Sequence, residues 1–302
     1  MVKKVFKTLA ILVLLWLVGS LAYLYWTGAW GILFPSHAHE TTPPPIPAEL
    51  HAPAILLFTK TNSFRHREGI EAGVRVVEIL AKSNEWSVFH TENSAVFNTD
   101  DLARFDVVMS LNTSGDILSD AQQLVFQQWL QAGGGWIGVH SAGDGSHKDW
   151  PWYVENLIGA DFSAHILGPQ FQTAEVINEM PQHPVMRLSP QRWLHEEEWY
   201  SWEESPRGKG FTILARIDED SYSPVQKAFG REVDLRMGDH PVVWARCVGR
   251  GRAVYSAMGH GAAAYASAEY QQLLGAAMAW AWDETACTGR ARLEMRQQGR
   301  EG

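Results

Sequence analysis

Residues 133–144, GGGWIGVHSAGD, read as glycines that end a helix, a short apolar strand over 136–141 and a tight turn of small residues. The outline is that of a nucleophile turn. Gly138 lies two places before the apex, and Ser141, Ala142 and Gly143 leave room for a sharp bend. The apex is His140, where an acyl-transfer enzyme carries Cys or Ser. An imidazole there is a candidate general base, metal ligand or hydrogen-bond donor. Ser141 is one residue out of phase to serve as the nucleophile. Asp144 is a candidate to orient His140, to bind substrate or to ligate a metal, and capping of the next helix competes with those roles. The glycines precede a strand instead of opening a helix after one, so a dinucleotide-binding loop is rejected.

Working outward, 119–132 reads as a helix with Ser119 as N-cap and Asp120 in its first turn. AILLFTK (54–60), WSVFHT (86–91) and DVVMSL (106–111) read as strands, and 67–82 as a helix with Ile70, Val74, Val77 and Ala81 on one face. Strands apolar on both faces and separated by helices predict an α/β fold, a mostly parallel sheet covered on both sides. The second half is less regular. It yields a short helix over 150–159, strands over 171–177, 211–217, 242–248 and 252–259, and a closing helix over 267–282 capped by Ser267. VGRGR (248–252) has hairpin turn chemistry, which predicts an antiparallel extension of the parallel sheet.

Ligands of an open parallel sheet bind beyond the carboxyl ends of its strands. Three histidines fall at such positions: His66 after the first strand, His140 after the fourth, and His260 after the last, in AMGHG. His165, His183 and the run His195-Glu196-Glu197-Glu198-Trp199-Tyr200 add further polar groups, and Trp150, Trp152, Trp199 and Trp202 are candidates to stack on a sugar. His140, His260 and Glu198 are the candidate catalytic groups, with His66, Asp144, His165, Trp199 and Tyr200 as candidate substrate contacts. No His-Glu-x-x-His motif occurs, so a metal site has to be assembled from distant loops. Its candidate ligands are His66, His140 and His260, and its ion a divalent metal such as zinc.

Residues 8–34 contain no side chain charged at neutral pH, more than the roughly 20 residues that cross a hydrocarbon core. Lys3, Lys4 and Lys7 precede this run and no Lys or Arg follows until Lys60, which places the N-terminus in the cytoplasm and the rest across the inner membrane, in the periplasm. A signal peptide cleaved near Ala38, in Ser36-His37-Ala38, is the alternative. Residues 35–53 hold six of the 14 prolines and read as an extended linker; 54–283 form the folded domain and 284–302 a polar tail. The net charge is −9. Setting aside the three N-terminal lysines leaves 22 basic against 34 acidic residues, a body that repels polyphosphate and excludes nucleic acid as a partner. Cys247 and Cys287 can form one bridge but no disulfide framework.

The domain resembles the ThuA-like family of trehalose utilisation. The resemblance rests on FRH (64–66), GGGWIGVHSAGD (133–144), the run from Trp150 to His165, His183-Pro184, Glu198-Trp199-Tyr200 and HPVVWARCVGRGRAVYSAMGH (240–260). It implies the flavodoxin-like fold of class I glutamine amidotransferases and action on a small carbohydrate, a glycoside, disaccharide or 3-keto derivative. Those amidotransferases use Cys, His and Glu, whereas His140 stands at the Cys position here and Ala262 where their second carboxylate follows the histidine. Cysteine-dependent glutaminase chemistry is therefore not expected. A binding or scaffolding domain without catalysis is the competing reading. With the charge bias as stated, alkaline phosphatase fused after Gly302 is expected to be active and a cytoplasmic reporter at the same place silent; the reverse pattern would overturn the orientation.

Overall fold

Thirteen strands are described: β1 (Ala54–Phe58), β2 (Ser87–Thr91), β3 (Val107–Leu111), β4 (Gly135–Val139), β5 (Phe162–His165), β6 (Gln172–Asn178), β7 (Arg192–Glu197), β8 (Tyr200–Trp202), β9 (Thr212–Ile217), β10 (Val225–Ala228), β11 (Arg231–Asp234), β12 (Pro241–Val248) and β13 (Gly251–Ser256). They come from a computed structural model that describes residues 2–228 and 230–287. Nine form one sheet in the order β2-β1-β3-β4-β13-β12-β9-β6-β7. The first five run parallel, and β12, β9, β6 and β7 extend the sheet antiparallel. β1, β3 and β4 are buried along their whole length, because helices cover this part of the sheet and strands there need apolar side chains on both faces.

The helices follow their sequence signals. Arg67–Ser83 buries Ile70, Val77 and Ala81, while Val74, expected on the same face, is only half-buried. Asp120–Gln131 starts at a capping box in which Ser119 and Gln122 satisfy each other's backbone N–H groups. Ser267 caps Ala268–Trp282 through the N–H of Tyr270. The segment expected as a helix over 150–159 is a helical turn at Pro151–Tyr153 continued by a wider turn to Ile158.

Two features depart from expectation. The run 192–197 is a strand, β7, whose inward residues are Trp193, His195 and Glu197 while Leu194 points outward, 69% exposed. Polar residues inside and an apolar one outside invert the usual edge-strand pattern and hide it from periodicity. Tyr200–Trp202 pairs as β8 with β5, which sets His165 opposite Tyr200. Cys247 and Cys287 are bridged, tying β12 to the segment after the last helix. The rest of the expected polar tail, 288–302, lies outside the described residues.

Val2–Trp26 is one apolar helix, long enough to cross a membrane and buried nowhere along its span. The proline-rich stretch after it carries no helix or strand and is fastened to the domain along its length. Ser36 N–H donates to Asn62 O, His37 and His39 each contact the Asp116 carboxylate at 3.1 Å, and the backbone N–H of His51 donates to Ser87. Glu40 is its anchor. Both carboxylate oxygens accept from Lys60, whose side chain is only 8% exposed, and Oε2 accepts as well from the N–H and hydroxyl of Ser94. Burial raises the Glu40 pKa, but the bonds from Lys60 and Ser94 outweigh it and bring it down to about 2. A carboxyl depressed in the fold stabilises above its unfolded value near 4.5, and that contribution disappears as pH falls from 4.5 through 2. Glu40→Gln is expected to cost about 1 kcal/mol at neutral pH, allowing for solvent at the half-exposed carboxylate. Urea unfolding as a function of pH checks this: the gap to the parent protein should close below pH 4.5, and a gap independent of pH would sink the assignment.

Candidate metal centre

β1, β4 and β13 deliver their carboxyl ends to one edge of the sheet. His66 lies at the end of the loop after β1, as the N-cap of helix Arg67–Ser83. His140 follows β4 directly with φ +50, a left-handed backbone that a β-carbon tolerates poorly. This is the sharp turn expected from GGGWIGVHSAGD, and it aims the imidazole into the space beyond the sheet. His260 follows β13. One donor atom from each of His66, His140, His260 and Glu198 lies within 4.8 Å of all the others, a group able to hold a metal ion.

His140 Nδ1 lies 2.8 Å from Ala257 O and donates to it, so Nε2 of a neutral ring carries its lone pair toward the cluster. That Nε2 is 3.0 Å from His260 Nδ1 and 3.5 Å from Glu198 Oε2, and His260 Nδ1 is 3.0 Å from the same carboxylate oxygen. A proton on His260 Nδ1 satisfies one of these contacts at a time. Ligands on bonds near 2.1 Å to a tetrahedral ion stand about 3.4 Å apart, so the triangle has the dimensions of a ligand shell. His66 closes the group, its ring edge-on to His140 at 4.8 Å and to His260 at 4.5 Å between centroids. Its Nδ1 is buried with no hydrogen-bond partner. Burial, with His140 and His260 beside it, holds the His66 pKa well below the usual imidazole range and keeps the ring neutral. Burial raises the Glu198 pKa, yet the bonds to His140 and His260 bring it below the carboxylate range.

Two residues that the sequence does not single out as site residues hold this arrangement. Glu197, 1% exposed, accepts from the N–H of Gly259 at 2.5 Å and of His260 at 3.2 Å, and through Oε1 from the N–H of its neighbour Glu198. One buried carboxylate thus joins the end of β7, which bears Glu198, to the turn that bears His260. Asn112, also at positive φ, ends β3 and donates to Gly259 O, steadying the same turn from the other side. No sequence signal marked either: Glu197 sits in a run of acids that reads as a solvated face, and Asn112 has no motif. Gly69 permits the close approach of the helix, since a β-carbon there would lie 2.2 Å from His260 O.

The other candidates take several places. His165 is 3.1 Å from Glu198 Oε1, and Gln170 donates to that oxygen at 2.6 Å, so both sit on the far side of the carboxylate. Tyr200 is buried with its ring 4.2 Å from that of His140, a wall of the cluster. Asp144 caps the next turn through Ser146 N–H, and burial pushes its pKa up to about 6. Trp199, expected to line a pocket, is buried and donates its indole N–H to Gln172 O. Trp150 and Trp202 are likewise buried and Trp152 half-buried, so the expectation that these indoles offer open stacking faces is corrected: Trp202 packs on Trp244 and Tyr255, and Trp150 and Trp152 pack on Phe126 of helix Asp120–Gln131. His183 lies against Trp280, away from the cluster, with burial pulling its pKa down to about 4. The more open side is at His260, 14% exposed, and His165, 25% exposed, under Phe171.

The family profile described as trehalose utilisation, ThuA, matches residues 54–281. The chain belongs to the ThuA family. Among solved structures, a putative ThuA-like protein from Bacteroides uniformis is 25% identical, with a TM-score of 0.66 over 80% of this chain and 95% of that one. Another from Parabacteroides merdae is 18% identical, with a TM-score of 0.59 over 76% and 90%. No curated protein matches.

Because the backbone N–H groups of Gly259, His260 and Glu198 all donate to Glu197, Glu197→Ala removes the acceptor of three N–H groups, and a loss of about 3 kcal/mol is expected in urea unfolding. His140→Ala, which removes a side chain from a crowded polar cluster, is expected to cost about 1 kcal/mol or less. Equal losses for the two variants would contradict the division between scaffold and site.

Proposed function

We propose that this ThuA domain is a metal-dependent enzyme acting on a small carbohydrate, with zinc held by His66, His140 and His260 and with Glu198 as the proton-handling group. The observation that carries the reading is the orphaned, buried His66 Nδ1 beside the 3.0–3.5 Å triangle of His140, His260 and Glu198. Three imidazoles suit zinc better than the oxygen-preferring calcium or magnesium. Zinc at this position supplies Lewis acidity toward a carbonyl or hydroxyl oxygen. Glu198 presents Oε2 to the cluster while His165 and Gln170 hold Oε1, which fixes the carboxylate for taking up a proton from the carbon beside a sugar carbonyl. The family name and the 3-keto sugars that the resemblance implies supply the substrate class.

A binding role without catalysis has one observation in its favour. The cluster is nearly closed, with His140 and Glu198 almost fully buried, as in a site that only braces the fold. Export across the inner membrane is supported by the lysine bias and by the Cys247–Cys287 bridge, which suits an oxidising compartment. Retention of the apolar helix as an anchor is supported by the hydrogen bonds of Ser36 and of Ala38 O to Asn62, which fasten the alternative cleavage site to the domain.

Metal analysis of full-length protein purified without chelator is expected to give about one zinc per chain, lost in His140→Ala and His260→Ala. The same preparations should turn over a 3-keto-disaccharide, and Glu198→Gln should keep most of the zinc while losing at least ~100-fold in rate. Protein that neither carries nor takes up zinc would overturn the metal reading; zinc without turnover would favour the binding role.

A further inference from the structure

The chain that follows the apolar helix folds back onto the carboxyl edge of the sheet. Gly31 packs so closely on the loop before His66 that a β-carbon there would lie 1.8 Å from Ser63 O. Arg65 N–H donates to Gly28 O, and the Arg67 guanidinium lies 5.0 Å over the Tyr25 ring while donating to Tyr25 O. Between this segment and the loops after β3 and β4 lies a cavity of about 470 Å³. Ile32, Pro35 and His37 form one wall, and Asp116, Ser146 and Trp150 belong to the other.

Three observations define what the cavity suits. Trp150 is 6% exposed and its indole N–H is buried without a hydrogen-bond partner. Carboxylates outnumber cations among the lining groups, with Asp116, Asp120 and Asp149 against Lys148, which disfavours phosphate and favours hydroxyl donors. The wall formed by the chain is continuous with a membrane-facing surface: Ile32, Leu33 and Phe34 are each more than half exposed and lie within a short turn of the apolar helix that ends at Trp26, where interfacial aromatic and apolar residues sit at headgroup depth.

We propose that this cavity binds the uncharged, hydroxyl-rich headgroup of a glycosyl lipid presented by the bilayer in which the helix is anchored. The inference rests on the anchored reading above and names how the sugar is presented, beside the histidine cluster on the same sheet edge.

Native mass spectrometry of the full-length chain, released from detergent, tests it with a diglycosyl diacylglycerol, a phosphatidylglycerol of the same acyl chains and the soluble methyl glycoside of the same headgroup. The glycosyl lipid is expected to remain bound at concentrations where the other two do not. Trp150→Phe and the exposed-site variant Asp149→Asn are each expected to weaken it about tenfold, with zinc content unchanged in the same samples. Equal retention of the phospholipid, equal binding of the soluble glycoside, or no loss in either variant would overturn the proposal. An intact mass lacking residues 1–38 would overturn the anchored reading and this inference with it. Failure of the zinc reading would appear separately, as metal-free protein that still retains the glycosyl lipid.

Discussion

The candidate site depends on a buried carboxylate that is not itself part of the cluster. Glu197 accepts from the backbone of Gly259, His260 and Glu198, and so fixes the distance between the last parallel strand's turn and an edge strand far from it in the sheet order. A charge in this position is costly to bury, and the backbone N–H groups arranged around it make the burial tolerable. Removing them in either direction leaves an unpaired group in a dry interior. The geometry of His260 and Glu198 is therefore set by hydrogen bonds that have nothing to do with the ligand.

Class I amidotransferases place a cysteine at the turn after the fourth strand and a carboxylate two residues beyond their histidine. Here the turn keeps its left-handed apex but carries His140, and a carboxylate arrives from the residue after β7, Glu198. The change replaces the cysteine by an imidazole and gathers His66, His140, His260 and Glu198 with donor atoms within 4.8 Å of one another. The fold accommodates both because the sharp strand–turn only presents a side chain, whatever its chemistry.

The N-terminal region is joined to this edge more closely than a tether requires. Glu40 neutralises a buried lysine at the end of β1, and Gly31 lets the chain after the apolar helix lie against the loop that ends in His66. The segment after the apolar helix and the candidate site consequently share residues 59–66.

The sequence by itself determined the parallel half of the sheet, its covering helices, the apolar N-terminal helix and the positions of His66, His140 and His260. Each of these is local: a run of apolar residues, a capping serine, a turn of small residues, a histidine one step past a strand. The family could be read from the same motifs. What the tertiary structure decided is everything that depends on partners distant in the chain. Trp199 and Tyr200 look alike in sequence, yet one is sealed in the core and the other walls the cluster, because β8 pairs with β5 and turns them to opposite sides. Glu196, Glu197 and Glu198 are indistinguishable as a run of charges. The pleat of β7 sends Glu196 outward and Glu197 inward, and the break after β7 swings Glu198 toward the histidines. A strand whose inward face is polar has no hydrophobic period to announce it, so only the N–H groups waiting opposite Glu197 mark its place inside.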